Sequence, residues 1–264
     1  MQKDNADMGE LTTEGYIRSD ILNAANRAGK IGAHIAPSLS IVEICTAILK
    51  VFDADQDTFV LSKAHAALGY YAAMYRFGMI TREQFDSFEK DGGEFPGQPS
   101  RTENNHVDYS GGSLGMGLSY AAGKAYVLRD SKAYVVLGDG ELDEGSNWEA
   151  ASVIARNHID NVIAVVDCNG LQSDGKCTDI QNKDLQRLWE AHGWKVVSCS
   201  GHDTDALIKA ITEDSGDRPL AVLARTIKGK GVSFMEDNNE WHHHELKADM
   251  LEEALSEVKA RYGL

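Results

Sequence analysis

The chain has 264 residues, 42% of them hydrophobic and 8% aromatic, which suits one large α/β domain able to bury roughly three quarters of its unfolded surface. With 26 Lys and Arg against 41 Asp and Glu, the formal net charge is −15, which argues against nucleic acid as a main partner. No stretch approaches about 18 consecutive apolar residues, the opening MQKDNADMGE lacks a signal-peptide pattern, and Cys45, Cys168, Cys177 and Cys199 show neither CxxC spacing nor a disulfide framework. These features lead to the expectation of a reduced, cytoplasmic protein without a membrane span.

Residues 10–30 and 40–51 read as helices, and SIVEICTAILKVF carries apolar residues at helical spacing behind Ser40 as N-cap. Between them GKIGAHIAPSLS, punctuated by Gly and Pro, reads as a loop. A short apolar run at 58–61 precedes a helix that begins near His65, in SKAHAALGYYAAMYRFG. Residues 90–112, KDGGEFPGQPSRTENNHVDYSGG, form the longest irregular stretch, and such a stretch inside a compact domain is usually functional or disordered.

From residue 113 the pattern becomes regular. A small-residue helix, SLGMGLSYAAGKAYVLR, leads to strand 133–138, a helix near 145–157 and strand 161–167. A helix near 183–192, strand 194–199, helix 203–214 and strand 219–226 follow. This alternation predicts an α/β fold: a central, mostly parallel sheet with helices on both faces. Runs such as NVIAVV and LAVLA suit strands buried on both sides. Ligands of such sheets bind beyond the carboxyl ends of the strands, where Asp139 of GDG and Asn169 of DCNG fall.

Gly138 and Gly140 let the backbone turn sharply and admit a ligand close to it. Asp139 offers a hard anionic oxygen and Asn169 a neutral one, and Mg²⁺ is commonly held by one or two such groups plus substrate phosphates and water. A helix opening near Gly145 would add a favourable dipole toward phosphate. Alone, Gly-Asp-Gly reads equally well as an ordinary strand-to-helix turn; the Asn-Gly at the next strand end weighs against that. DGELDEG fails as a calcium loop, because Glu144 stands where Gly is needed.

GDGELDEGSNWEAA followed by DNVIAVVDCNGLQSDG resembles the thiamine-diphosphate signature of transketolases. The likeness runs from GKIGAHIAPSLSIVEI through FVLSKAHAALGYYA, GGSLGMGLSYAAGKA and GWKVVSCSGHD to TIKGKGVSFMED. The chain resembles the diphosphate-binding half of a transketolase, which implies a thiamine-diphosphate-binding fold over 1–264. It also implies thiamine diphosphate and Mg²⁺ as cofactors, with Ca²⁺ or Mn²⁺ as alternatives. Carried across, Asp139, Asn169 and the Leu171 carbonyl match the metal ligands. Gly112, Leu114, Gly138, Gly140 and Glu144 match cofactor-contacting positions. Glu144 and Glu149 match a hydrogen-bond network that joins active sites across a dimer. His34 and His65 match histidines facing the reactive ring and substrate hydroxyls, work that suits a side chain titrating near neutrality, and His242, after Trp241, matches the family's late active-site histidine.

Three departures stand out. Pro37 and Ser38 follow His34 where a Gly is commoner nearby, Ala64 replaces the usual Gly before His65, and Gly97-Gln98-Pro99 stands where the family commonly has Gly-His-Pro. Gln98 can donate and accept hydrogen bonds but carries no proton at neutral pH. In NNEWHHHELK, His243 and His244 read as solvated neighbours of His242, since consecutive side chains point apart and make a poor tetrahedral metal cage.

The resemblance also implies a missing half. In the family the pyrimidine-type domain supplies the glutamate that triggers the cofactor, and this sequence contains no such domain. The expectation is a two-component enzyme, an α2β2 assembly in which a C-terminal-type transketolase subunit brings that domain. Small sugars are the expected substrates, with neither nucleic acid nor membrane as partner. The predicted activity is transfer of a two-carbon ketol unit from a ketose to an aldose. Alternatives are a 1-deoxyxylulose-phosphate synthase-like subunit, a 2-oxo-acid decarboxylating subunit, or a noncatalytic cofactor-binding subunit.

Overall fold

A computed structural model describes residues 11–263. Helix α1 (Thr13–Ala28) starts where the Thr12 side chain accepts a hydrogen bond from the Gly15 N–H; the expected start at residue 10 lies outside the described residues. Helix α2 (Ile35–Ser40) forms inside the segment that reads as a loop. Pro37 permits it because it falls in the first turn, where a backbone N–H has no intrahelical acceptor. Ser40 therefore ends α2 and does not cap α3 (Val42–Val51), whose N-cap position belongs to Ile41. The Ser40 hydroxyl donates instead to Asp167 Oδ2 at 2.5 Å.

Strand β1 (Thr58–Leu61) leads through a short 3₁₀ turn at Ala64–Ala66 into α4 (Ala67–Arg76). Helix α5 (Arg82–Asp86) is closed by a capping box between Thr81 and Gln84. Residues 87–116 then carry no helix or strand, so the expected irregular segment is real and longer than expected. Next come α6 (Gly117–Val127), β2 (Ala133–Gly138), α7 (Gly145–Arg156) and β3 (Val162–Cys168). After them follow α8 (Cys177–Ile180), α9 (Leu185–Ala191), β4 (Lys195–Ser200), α10 (Thr204–Ile211) and β5 (Leu220–Arg225). The described chain closes with α11 (Ala248–Tyr262), a helix beyond those expected from the sequence pattern.

The strands form a five-stranded sheet in the order β1-β2-β3-β5-β4, every neighbouring pair parallel. Alternate strand residues feed two separate cores. Phe59, Tyr134, Val136, Val165 and Val222 pack with α1–α4 and α10–α11 on one face, while Val60, Val135, Leu137, Val166 and Leu223 pack with α6, α7 and Trp189 on the other. Burial on both faces explains the unbroken apolar runs. Among the described residues no helix is long and apolar enough to cross a membrane.

Candidate functional site

Strand pairing puts Gly138 opposite Asp167, so Asp139 and Asn169 leave the sheet side by side at the ends of β2 and β3. Asp139 is buried, and its carboxylate accepts from the N–H groups of Gly140 at 2.8 Å and Gly170 at 2.6 Å. Cys177 also hydrogen-bonds to it, so its partners are two amides and a thiol, not a basic side chain. Burial, and next the charge of Asp167 alongside, push its carboxyl above the usual range. Asn169 donates its amide N–H to Asp167 Oδ2 at 3.0 Å, which turns its Oδ1 to the Leu171 N–H, also at 3.0 Å. Among the described residues no three His, Cys, Asp or Glu side chains gather as a protein-only metal cage. An anionic carboxylate lacking a basic partner, next to a neutral amide oxygen, suits a hard divalent cation whose remaining ligands are backbone and ligand oxygens.

Both residues line a cavity of about 310 Å³ that also takes in His65, Gly112, Leu114, Gly138, Gly140, Glu144, Leu171 and His242. The structure thus brings ten of the predicted site residues to one place. His34 stands at its edge, with ring centroids 5.7 Å from His65 and 5.3 Å from His242, and those two are 5.1 Å apart. Burial lowers all three imidazoles, to about 4 for His34 and about 3 for His242, with Lys228, Lys63 and neighbouring histidines adding to the effect. They are neutral at pH 7 and can donate from one ring nitrogen and accept at the other. Glu144 holds the N-cap position of α7. Glu149 lies further along α7, exposed and outside the cavity.

Several residues that shape the cavity are absent from the predicted site residues, although most of them lie within the matched stretches. Asp167, inside β3 and 0% exposed, is ion-paired with Lys63 and accepts from the hydroxyls of Ser40 and Thr226. Burial alone would raise its carboxyl, but the Lys63 ammonium and these hydrogen bonds outweigh burial and hold it below the usual range. The available signal is a lone Asp within an apolar strand, which demands a buried partner. Glu141 is equally enclosed: its carboxylate accepts from Ser62 Oγ at 2.5 Å and from the N–H groups of Gly115 at 2.9 Å and Gly138 at 3.0 Å. It therefore binds the Gly138 turn to the loop carrying Leu114. Gly115 has φ +83°, and a Cβ there would lie 2.6 Å from Glu144 Cβ. Lys228, 1% exposed, donates to the Gln172 carbonyl and to side-chain atoms of Asn239 and His242.

Outside the histidines a second cavity, of about 440 Å³, is lined by His34, Glu89, Gln98, Ser100, Ser110 and His243 among others. Gln98 borders both cavities, so the departure from Gly-His-Pro lies between them. Lys and Arg are missing from the described lining of this outer cavity.

Comparison with known proteins agrees with the geometry. Residues 49–264 match the family model of the transketolase, thiamine diphosphate binding domain. The chain is similar to an apulose-4-phosphate transketolase subunit of Actinobacillus succinogenes, 37% identical over 254 residues that cover 90% of this chain and 91% of that one. It is similar also to a 6-deoxy-6-sulfo-D-fructose transketolase subunit of a Clostridium species, 34% identical over 88% of this chain and 90% of the relative. Among solved structures, a Pichia stipitis transketolase variant superposes with TM-score 0.83 at 27% identity, covering 95% of this chain but 40% of the longer one. The likeness therefore extends along nearly all of two proteins named as subunits and over less than half of that longer transketolase. Strand-tip geometry, fold and relatives converge, and the chain belongs to the transketolase family as its thiamine-diphosphate-binding part.

Proposed function

We propose that this chain is the diphosphate-binding subunit of a two-component transketolase that moves a two-carbon ketol unit from a ketose to an aldose. The observation that carries the proposal is the juxtaposition of Asp139 and Asn169 with three neutral histidines around one cavity. In this reading Asp139, Asn169 and the Leu171 carbonyl hold Mg²⁺, with Ca²⁺ or Mn²⁺ as substitutes, and the metal holds the diphosphate of thiamine diphosphate. The bound cofactor supplies a nucleophilic carbon and an electron sink for cleaving the bond beside a ketose carbonyl.

This chain's residues bind and orient. Gly138 and Gly140 keep the backbone open toward the diphosphate, and the amino end of α7 faces it with a favourable dipole. Gly112 and Leu114 flank the rings of the cofactor. His34, His65 and His242, uncharged at neutral pH, hydrogen-bond the ketose hydroxyls and pass protons at them. Glu144 and Glu149 belong to a network reaching the other active site of an α2β2 assembly. The triggering glutamate and the pyrimidine-type domain come from a C-terminal-type partner chain; that both relatives are named as subunits supports this. Their named sugars, one phosphorylated and one sulfonated, support a ketose substrate with a modified end. All four cysteines are free, which suits the cytoplasm.

The test mixes purified chain, partner, thiamine diphosphate and Mg²⁺ and follows two-carbon transfer between sugars. Transfer that needs both chains is expected. Absence of transfer across a broad ketose panel, release of CO₂ from pyruvate, or full activity of the partner alone would each overturn the proposal.

A further inference from the structure

Lys228 follows β5 in the stretch TIKGKG and is almost wholly buried, 1% exposed. Its Nζ lies 3.1 Å from the Gln172 carbonyl oxygen, 2.9 Å from Asn239 Oδ1 and 2.9 Å from His242 Nδ1. Burial, and next the Lys63 charge, lower it to about 8, so it is mostly an ammonium at neutral pH. An ammonium has three N–H donors and no lone pair.

The three contacts match the three donors, and two of the acceptors are fixed independently. The Gln172 oxygen is a backbone carbonyl. The Asn239 amide is oriented by its own Nδ2, which donates to the Ser173 carbonyl at 2.9 Å, leaving Oδ1 for the lysine. The third contact therefore requires a lone pair on His242 Nδ1. A neutral imidazole with its lone pair on Nδ1 carries its proton on Nε2.

We infer that Lys228 is a positioning residue that locks His242 as the neutral Nε2–H tautomer, so that this histidine meets substrate or cofactor oxygen only as a hydrogen-bond donor. Proton acceptance within this half of the site then falls to His34 or His65, whose rings carry no such clamp among the described residues. The same ammonium joins the 172–173 loop, next to Leu171, to the turn that carries His242. The inference deepens the proposed function and rests on it for what His242 faces, but the tautomer itself follows from the three hydrogen bonds and the ammonium form of Lys228.

Imidazole ¹⁵N–¹H correlation spectra of the full chain at pH 7, labelled at histidine, test it. The His242 signals are assigned by their loss in His242→Gln. The expected wild-type spectrum has an unprotonated Nδ1 and a protonated Nε2. Lys228→Met should give tautomer-averaged shifts at His242 and move its titration upward toward the ordinary range, and Lys228→Arg, which also only donates, should restore the single tautomer. A wild-type His242 protonated at Nδ1, or a Lys228→Met spectrum identical to wild type, would overturn the inference. If Lys228→Met does not fold, the wild-type spectrum still decides. Because no step of this measurement needs turnover, a failed sugar-transfer assay would remove the proposed function without touching this result.

Discussion

Asp139 and Asp167 stand side by side at the tips of adjacent strands, and only Asp167 has a basic partner. Their carboxyls are displaced in opposite directions, Asp139 upward by burial and by Asp167, Asp167 downward because Lys63 and the hydroxyls outweigh burial. One charge is neutralised within the fold, and the other is left for something that binds.

Asp139→Asn should stabilise the ligand-free chain at pH 7. A carboxyl whose folded pKa is raised favours the fold while protonated, and that contribution is lost as pH rises through the ordinary value of 3.8 toward the folded one. Each kcal/mol regained is worth about 2–4 °C in Tm at this size. The same variant should lose the Tm increase expected when Mg²⁺ and thiamine diphosphate are added to the wild type. Thermal scans with and without both ligands check this, and a variant that is still stabilised by them would show Asp139 to be a turn residue.

Lys63→Met leaves Asp167 buried without its cation, and a loss of about 3–5 kcal/mol is expected. Lys63→Met combined with Asp167→Leu should cost less than the sum of the single changes, since the two groups interact directly. Urea titrations of the wild type, both single variants and the double variant measure it. In acid the sign runs opposite to that of Asp139: the Asp167 contribution is present above 3.8 and is lost only as pH falls through a lower folded value.

The three lowered histidines predict acid sensitivity of the fold. With folded values of about 4 for His34 and about 3 for His242, the unfolded chain takes up protons first as pH falls below the ordinary 6.5. Stability should decline from that pH downward, and His34→Gln with His242→Gln should flatten the decline. Tm measured between pH 7 and pH 4 gives the slope; an unchanged slope in the double variant would place the proton uptake elsewhere.

Two glycines should respond in opposite ways to alanine. Gly115→Ala puts a side chain at φ +83° against Glu144, and a cost of about 1–3 kcal/mol is expected. Gly123, inside α6, has open space around it, and Gly123→Ala should gain about 0.4–1 kcal/mol. Denaturation midpoints of the isolated chain compare them directly.

The sheet is legible in the sequence because β2, β3 and β5 are largely apolar, buried runs, and Asp139 and Asn169 because each follows such a run. Helix α2 is not, since Pro37 reads as a breaker until its place in the first turn is known. The role of Ser40 is hidden as well: it reads as a helix cap, whereas its hydroxyl serves Asp167. Lys63 meets Asp167, Glu141 meets Ser62 and Lys228 meets Gln172 across long stretches of chain, and no local pattern announces a contact closed only by folding. Helix α11 does carry a local signal: Met250, Leu251, Ala254, Leu255, Val258 and Tyr262 recur at helical spacing and pack on the core, but it lies beyond the strand–helix alternation from which the other elements are read.

The anchoring of Asp167 has a consequence for mutational tolerance. Ser40, Lys63 and Thr226 reach this carboxylate from three remote stretches of the chain, and Asn169, which lines the inner cavity, donates to it as well. A saturation screen scored on cofactor retention should find intolerance scattered over positions that look unrelated along the gene product. Those scattered lesions should share one biochemical phenotype, a chain that folds less firmly and releases its coenzyme, because they all disturb the same oxygen atoms.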